Sequence, residues 1–265
     1  MTATVAPRLT DTELAELLDL LGDADSVELK LTVAESDQRA ALGALEIDPL
    51  DAQIRQVFFL DTPDLALNQR GVVVRVRRVQ RKGDDSVVKL RPVAPARLRG
   101  SLRRSPAFGV EVDAMPGGFV CSGSMKHVLP VGGVREAATG GKPLRKLFTK
   151  EQRAFFRAHA PEGLALDDLS LLGSIFVLKL KFAPAGFGRN LVAELWLYPD
   201  DTRILELSTK CPPREAFLAA AEVRAFLAQR GIDVSGEQET KTRHALELFR
   251  DRLARETEQA RRGGS

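Results

Sequence analysis

Three short segments carry basic residues two apart: Arg75 and Arg77 in "GVVVRVRRV", Lys89 and Arg91 in "SVVKLRPV", and Lys179 and Lys181 in "IFVLKLKF". Others carry acids: Glu28 beside Lys30 in "VELKL", Glu111 and Asp113 in "GVEVD", Glu194 in "AELWL", and Glu206 ahead of Ser208 and Lys210 in "ILELSTK". Valine and leucine fill most of the positions between. Side chains on a strand alternate between faces, so in each segment the charges share one face and the apolar residues the other. Parity puts Trp196 with Glu194, and Ser26 with Glu28 and Lys30.

Any one of these strands suits a sheet with one solvated face. Seven together do not, because a wet face carries mixed polar residues rather than cations on some strands and acids on others. If helices cover the apolar face, the charges line the inside of a closed sheet, where unpaired charge is expensive. The cationic strands then require an anion and the acidic ones a cation. A polyphosphate with a divalent metal supplies both.

The elements that must position these residues follow from the pattern. "TDTELAELLDLLG" opens with a capping box from Thr10 to Glu13 and aligns Leu14, Leu17, Leu18 and Leu21. Strands are expected at 26–33, in "QIRQVFFLD", and in the charged segments above, with "QRKGDD" as a hairpin turn. A helix "KEQRAFFRAHA" is capped by Thr149, and the tail is helical with a break at "GIDVSG". Residues 116–143, rich in glycine, read as a long surface excursion. The expected architecture is α+β: an eight-stranded antiparallel β barrel with helices outside it. Residues 1–25 form a helical extension, 26–255 the barrel domain and 256–265 a frayed tail.

Composition narrows the function classes. Among 265 residues, 39 Lys and Arg against 36 Asp and Glu leave +3, which does not mark a specific nucleic-acid binder. Cys121 and Cys211 read as free thiols, and His127, His159 and His244 lack zinc-ligand spacing. No apolar run suits a membrane span. The expectation is a cytoplasmic protein.

Several segments resemble the CYTH family, also called the triphosphate tunnel metalloenzymes. "VELKL" is similar to an ExExK signature, with Ser26 in place of its first glutamate. "FFLDTPDLALNQRGVVVRVRR" resembles the family's aspartate–threonine–proline segment and the RxR strand after it. "VVKLRP", "GVEVD", "LKLKF", "ILELSTK" and the helical "TKTRHAL" follow in the family's order, so the match spans about residues 26–250. The resemblance implies an eight-stranded tunnel, open at both ends, that binds triphosphates with magnesium or manganese. Members include tripolyphosphatases, thiamine-triphosphatases, RNA triphosphatases and class IV adenylyl cyclases.

Carried onto this chain, the resemblance gives Lys30, Arg75, Arg77, Lys89, Arg91, Lys179, Lys181, Lys210, Lys241 and Arg243 to the triphosphate or polyphosphate ligand. Glu28 and Glu206 become the catalytic acids, and Glu28, Glu194 and Glu206 the metal ligands. Glu111 and Asp113 orient basic side chains or water. The chain departs from the family at Ser26 and at Ser208, where acids of the metal site are expected. Three readings follow: a metal-dependent triphosphate hydrolase, a class IV-type cyclase, and a non-catalytic binder of polyphosphate or nucleotide.

Overall fold

The computed structural model describes residues 10–234 and 241–263, with side chains through residue 255 in the second stretch. Helix α1 (Asp11–Asp23) starts in the expected capping box, Thr10 and Glu13 each accepting the other's N–H. Leu17 and Leu21 are buried, but Leu14 and Leu18 are 39% and 52% exposed, so the buried stripe is narrower than four leucines suggest. Next come β1 (Ser26–Val33), α2 (Gln38–Ala44), β2 (Gln53–Asp61), the single turn α3 (Ala66–Gln69), β3 (Val72–Val79) and β4 (Asp84–Leu90). Then follow α4 (Gly100–Arg103), β5 (Phe108–Met115), β6 (Gly118–Leu129), α5 (Gly133–Ala138) and α6 (Lys150–Arg157). The chain ends with β7 (Ser170–Phe182), β8 (Leu191–Leu197), β9 (Arg203–Cys211), α7 (Ala216–Gln229) and α8 (Lys241–Gly263). α8 continues into the segment expected to fray. Residues 1–9 of the expected extension and 264–265 of the tail lie outside the described residues.

The strands close a barrel in the order β1-β5-β6-β4-β3-β2-β7-β8-β9, with β9 returning to β1. Nine strands form it, not the expected eight. A ring of strictly alternating directions needs an even number, so nine force one parallel seam. That seam is β1–β5, Ser26–Leu29 beside Glu111–Ala114; every other pair is antiparallel.

The additional strand is β6, inside the stretch expected to be a surface excursion. Met115 pairs with Gly118 across Pro116–Gly117, and Gly117 has φ +86, a backbone conformation that favours glycine at this corner. Along "GFVCSGSMKHVL" the outer core takes Cys121 and Met125, while Ser124 and Lys126 face inward. Glycine and serine interrupt the valine–leucine alternation, and periodicity alone misses the strand.

The outward valines and leucines of β1, β3, β4 and β5 pack under α1, α6 and α7. α6 is fixed by Gln152, which is fully buried and donates to the Ser86 and Met125 carbonyls, each at 3.1 Å. Asp61 has a comparable duty in the "FLDTP" turn. Its buried carboxylate accepts the N–H groups of Thr62, Leu67 and Asn68 at 2.7, 2.9 and 3.0 Å, fixing the turn that delivers β3. The most specific part of the family resemblance is therefore a structural device that aims Arg75 and Arg77.

One end of the barrel is filled. Val57, Phe59, Ile175, Val177, Trp196 and Ile204, on the inward parity of their strands, pack on Ala245, Leu246 and Phe249 of α8. The tunnel expected to be open at both ends is a pocket closed at this one.

Candidate functional site

The interior left beyond that plug is a cavity of about 650 Å³. Ten basic and four acidic side chains line it, so its walls carry a large positive excess. Parity supplies most of them: Glu28 and Lys30 from β1, Arg75 and Arg77 from β3, Lys89 from β4, Glu111 from β5. Lys179 and Lys181 come from β7, Glu194 and Trp196 from β8, and Glu206, Ser208 and Lys210 from β9.

The charges sort into three groups. At the parallel seam, Asp113 is wholly buried and is shared by Lys30 at 2.7 Å, Arg91 at 3.2 Å and Lys89 at 3.4 Å. Glu28 lies 3.1 Å from Lys30 and accepts from Ser208 at 3.4 Å; Glu111 meets Lys210 at 2.5 Å. Carboxylate oxygens of Glu28, Glu111 and Asp113 all come within 4.8 Å of one another.

The second group lies where the cavity meets the plug. Glu194 and Glu206 face each other across β8 and β9, and the Lys241 ammonium sits between them at 2.5 and 2.7 Å. Lys179 reaches Glu194 at 2.7 Å, and the Trp196 indole N–H donates to its other oxygen at 3.2 Å. The third group is cationic: Arg55, Arg75 and Arg77 on β2 and β3, with Asp85 taking Arg77 at 2.8 Å.

Burial and charge set the protonation of these groups. Burial raises the Asp113 carboxyl, but Lys30, Lys89 and Arg91 outweigh it and hold it far below the usual carboxylate range. Lys30 and Lys89 diverge for a geometric reason. Burial opposes charge on both; Asp113, Glu28 and Glu206 overcome it at Lys30, which is held above its ordinary value. Lys89 stands farther from Asp113 and beside two other cations, and burial lowers it to about 8. Glu194 is buried, yet Lys241 and Lys179 hold it well below normal. Arg75 is lowered to about 10 by burial and by Arg77. Its Nε is buried with no hydrogen-bond partner among the described residues.

The structure gathers the expected site residues unevenly. The proposed metal ligands fall into two places, Glu28 with Glu111 and Asp113, and Glu194 with Glu206. Lys241 enters the interior at the plugged end rather than at an open mouth. Arg243 is on the exposed face of α8, because residues two apart on a helix point in nearly opposite directions. Lys181 lies at the exposed rim of the cavity.

Sequence reasoning missed Arg55, Lys126, Asp85 and Arg189. Arg55 has the inward parity of β2, but Val57 and Phe59 follow it and make the strand look purely apolar. Lys126 belongs to the strand that was not legible. Arg189 comes from the β7–β8 loop, to which parity does not apply.

No protein-family model and no curated protein sequence matches this chain. Solved structures share its fold. A candidate adenylate cyclase from Bacillus halodurans superposes with a TM-score of 0.58 at 14% identity, covering 83% of this chain and 97% of that one. HpAC1 from Hippeastrum, a candidate adenylyl cyclase with a dominant triphosphatase activity, gives 0.62 at 15%, covering 84% and 94%. At such identities the likeness concerns the fold. This chain thus has the barrel fold of these two proteins, the fold that its CYTH resemblance implies, with nine strands in place of eight.

Proposed function

We infer that this protein binds a triphosphate or short polyphosphate in its barrel and, with a divalent metal, hydrolyses a phosphoanhydride bond. One observation carries the reading: ten Lys and Arg side chains, Arg75 among them, line the cavity against four carboxylates. Cations crowded in an enclosed cavity require anions, and phosphate oxygens are acceptors that suit guanidinium and ammonium groups. Arg75, Arg77, Lys89, Lys179 and Lys181 surround the ligand and neutralise charge that develops as the bond breaks.

The donor chemistry fits a hard cation, because Glu28, Glu111 and Asp113 converge and offer only carboxylate oxygens. Magnesium or manganese there supplies charge neutralisation and a positioned water. Glu28, less enclosed by cations than Asp113, is the best placed to hold it, with Glu206 and Glu194 as the more distant pair. Trp196 is the only aromatic residue among those described in the cavity wall, and it is buried against Lys241. Among the described residues no second aromatic ring lines the cavity to pair with it around a base, which favours hydrolysis over nucleotide cyclisation.

A second reading, binding without turnover, is supported by Ser26 and Ser208 and by the lysine or arginine partners that Asp113, Glu111, Glu194 and Glu206 already have. The deciding test is release of phosphate and of cyclic AMP from tripolyphosphate, ATP and thiamine triphosphate, with magnesium or manganese. Metal-dependent phosphate release that Glu28→Gln abolishes is the expected result. Cyclic AMP as the main product, or tight binding with no product, would replace hydrolysis with one of the other readings.

A further inference from the structure

Three guanidinium groups meet on one wall of the cavity. β2 and β3 pair with Phe59 opposite Arg75, Val57 opposite Arg77 and Arg55 opposite Val79. Arg55 is thus the diagonal neighbour of Arg77, and all three side chains line the cavity. Asp85 binds Arg77 through both carboxylate oxygens. Arg55 donates only to a neutral acceptor, the Gln53 amide oxygen, at 2.9 and 3.2 Å. Burial and the nearby Arg77 charge lower both Arg75 and Arg55, as happens where cations are crowded without enough anion. Asp85 pairs with one of the three, and Glu194, which also acts on Arg55 and Arg75, is already taken by Lys179 and Lys241, so this wall keeps a positive excess.

We propose that Arg55 joins Arg75 and Arg77 in a subsite for a terminal phosphoryl group, so that the cavity selects ligands with a free phosphate end. The proposal rests on the phosphate-binding reading above. A terminal phosphoryl carries close to two negative charges at neutral pH and presents three oxygens. That charge suits the positive excess on this wall. An internal or cyclic phosphoryl has one charge and two free oxygens, and satisfies the group only in part. Guanidinium forks bind such oxygens in pairs, which an ammonium cannot reproduce.

The test is calorimetric titration of metal-free protein with linear tripolyphosphate, which has two ends, and with cyclic trimetaphosphate, which has none. Wild type should prefer the linear compound. Arg55→Gln should weaken linear binding about tenfold and change cyclic binding by less than about twofold. Arg55→Lys keeps the charge but loses the fork, and should repeat the selective loss. If the Gln variant fails to fold, the Lys variant decides: selective loss supports the subsite, and wild-type affinity for both compounds overturns it. Equal losses for the two compounds in Arg55→Gln, or undiminished linear binding, also overturn it while phosphate binding itself stands. A wild-type protein that binds neither compound overturns both this subsite and the function it rests on.

Discussion

Lys30 reaches Asp113 at 2.7 Å across the only parallel pairing of the barrel, tying β1 to β5 from inside. The same carboxylate also serves Lys89 and Arg91, so a single buried anion holds three cations at the seam. Asp113→Asn should destabilise the protein by about 3 kcal/mol, the usual cost of breaking a buried pair from one side. Tripolyphosphate should then raise the melting temperature of the variant more than that of wild type, since it restores negative charge to the group. A urea titration checks the first statement, and melting curves with and without the compound check the second.

Lys241 occupies the place between Glu194 and Glu206 that a cation would take. Lys241→Met should cost about 2–4 kcal/mol, because it leaves two buried acids with less compensation. It should also make the protein more responsive to magnesium or manganese, which can replace the missing ammonium. Melting curves at several metal concentrations test this; equal shifts in variant and wild type would show that the two acids do not compete for metal.

Lys89 gives a pH signature. Burial lowers it to about 8, below its unfolded value of roughly 10.4, so between those values the unfolded chain binds more protons. The contribution of this group to stability therefore rises with pH through that window. A bound phosphate favours the charged ammonium and raises its pKa, so binding at about pH 8–9 should take up protons. Calorimetry in buffers of different ionisation enthalpy should detect the uptake in wild type and a smaller one in Lys89→Met.

Gly71 connects the structural and chemical halves of the site. It has φ +70, and a Cβ there would lie 2.5 Å from the Arg91 carbonyl oxygen. Its own carbonyl accepts the Arg91 N–H at 2.7 Å. Gly71→Ala should lower stability by about 1–3 kcal/mol and displace Arg91 from Asp113. Denaturant midpoints give the first effect and weakened tripolyphosphate binding the second.

Parity in seven strands was enough to bring Glu28, Lys30, Arg75, Arg77, Lys89 and Lys179 to one interior, since β alternation is a local property of the chain. What parity could not show was long-range. β6 was hidden because its glycines and serines are packed by neighbours rather than by a repeating apolar face. The division of the acids into two groups depends on barrel register, which brings Glu28 beside Asp113 and Glu194 beside Glu206. The plugged end required knowing where α8 docks: Ala245, Leu246 and Phe249 look like any amphipathic stripe. Arg55 was legible in principle from its spacing to Val57 and Phe59, but only once those two were known to face inward.

The central claim is that this barrel is an anion cradle for a phosphate chain. The most direct measurement is calorimetric titration of metal-free wild type, Arg75→Gln and Arg224→Ala with tripolyphosphate. Arg75 lines the cavity, whereas Arg224 is exposed on α7, outside it. The account predicts saturable one-to-one binding in wild type and Arg224→Ala, weakened at least about tenfold in Arg75→Gln. Absent binding in wild type, or equal affinity in all three proteins, would contradict it.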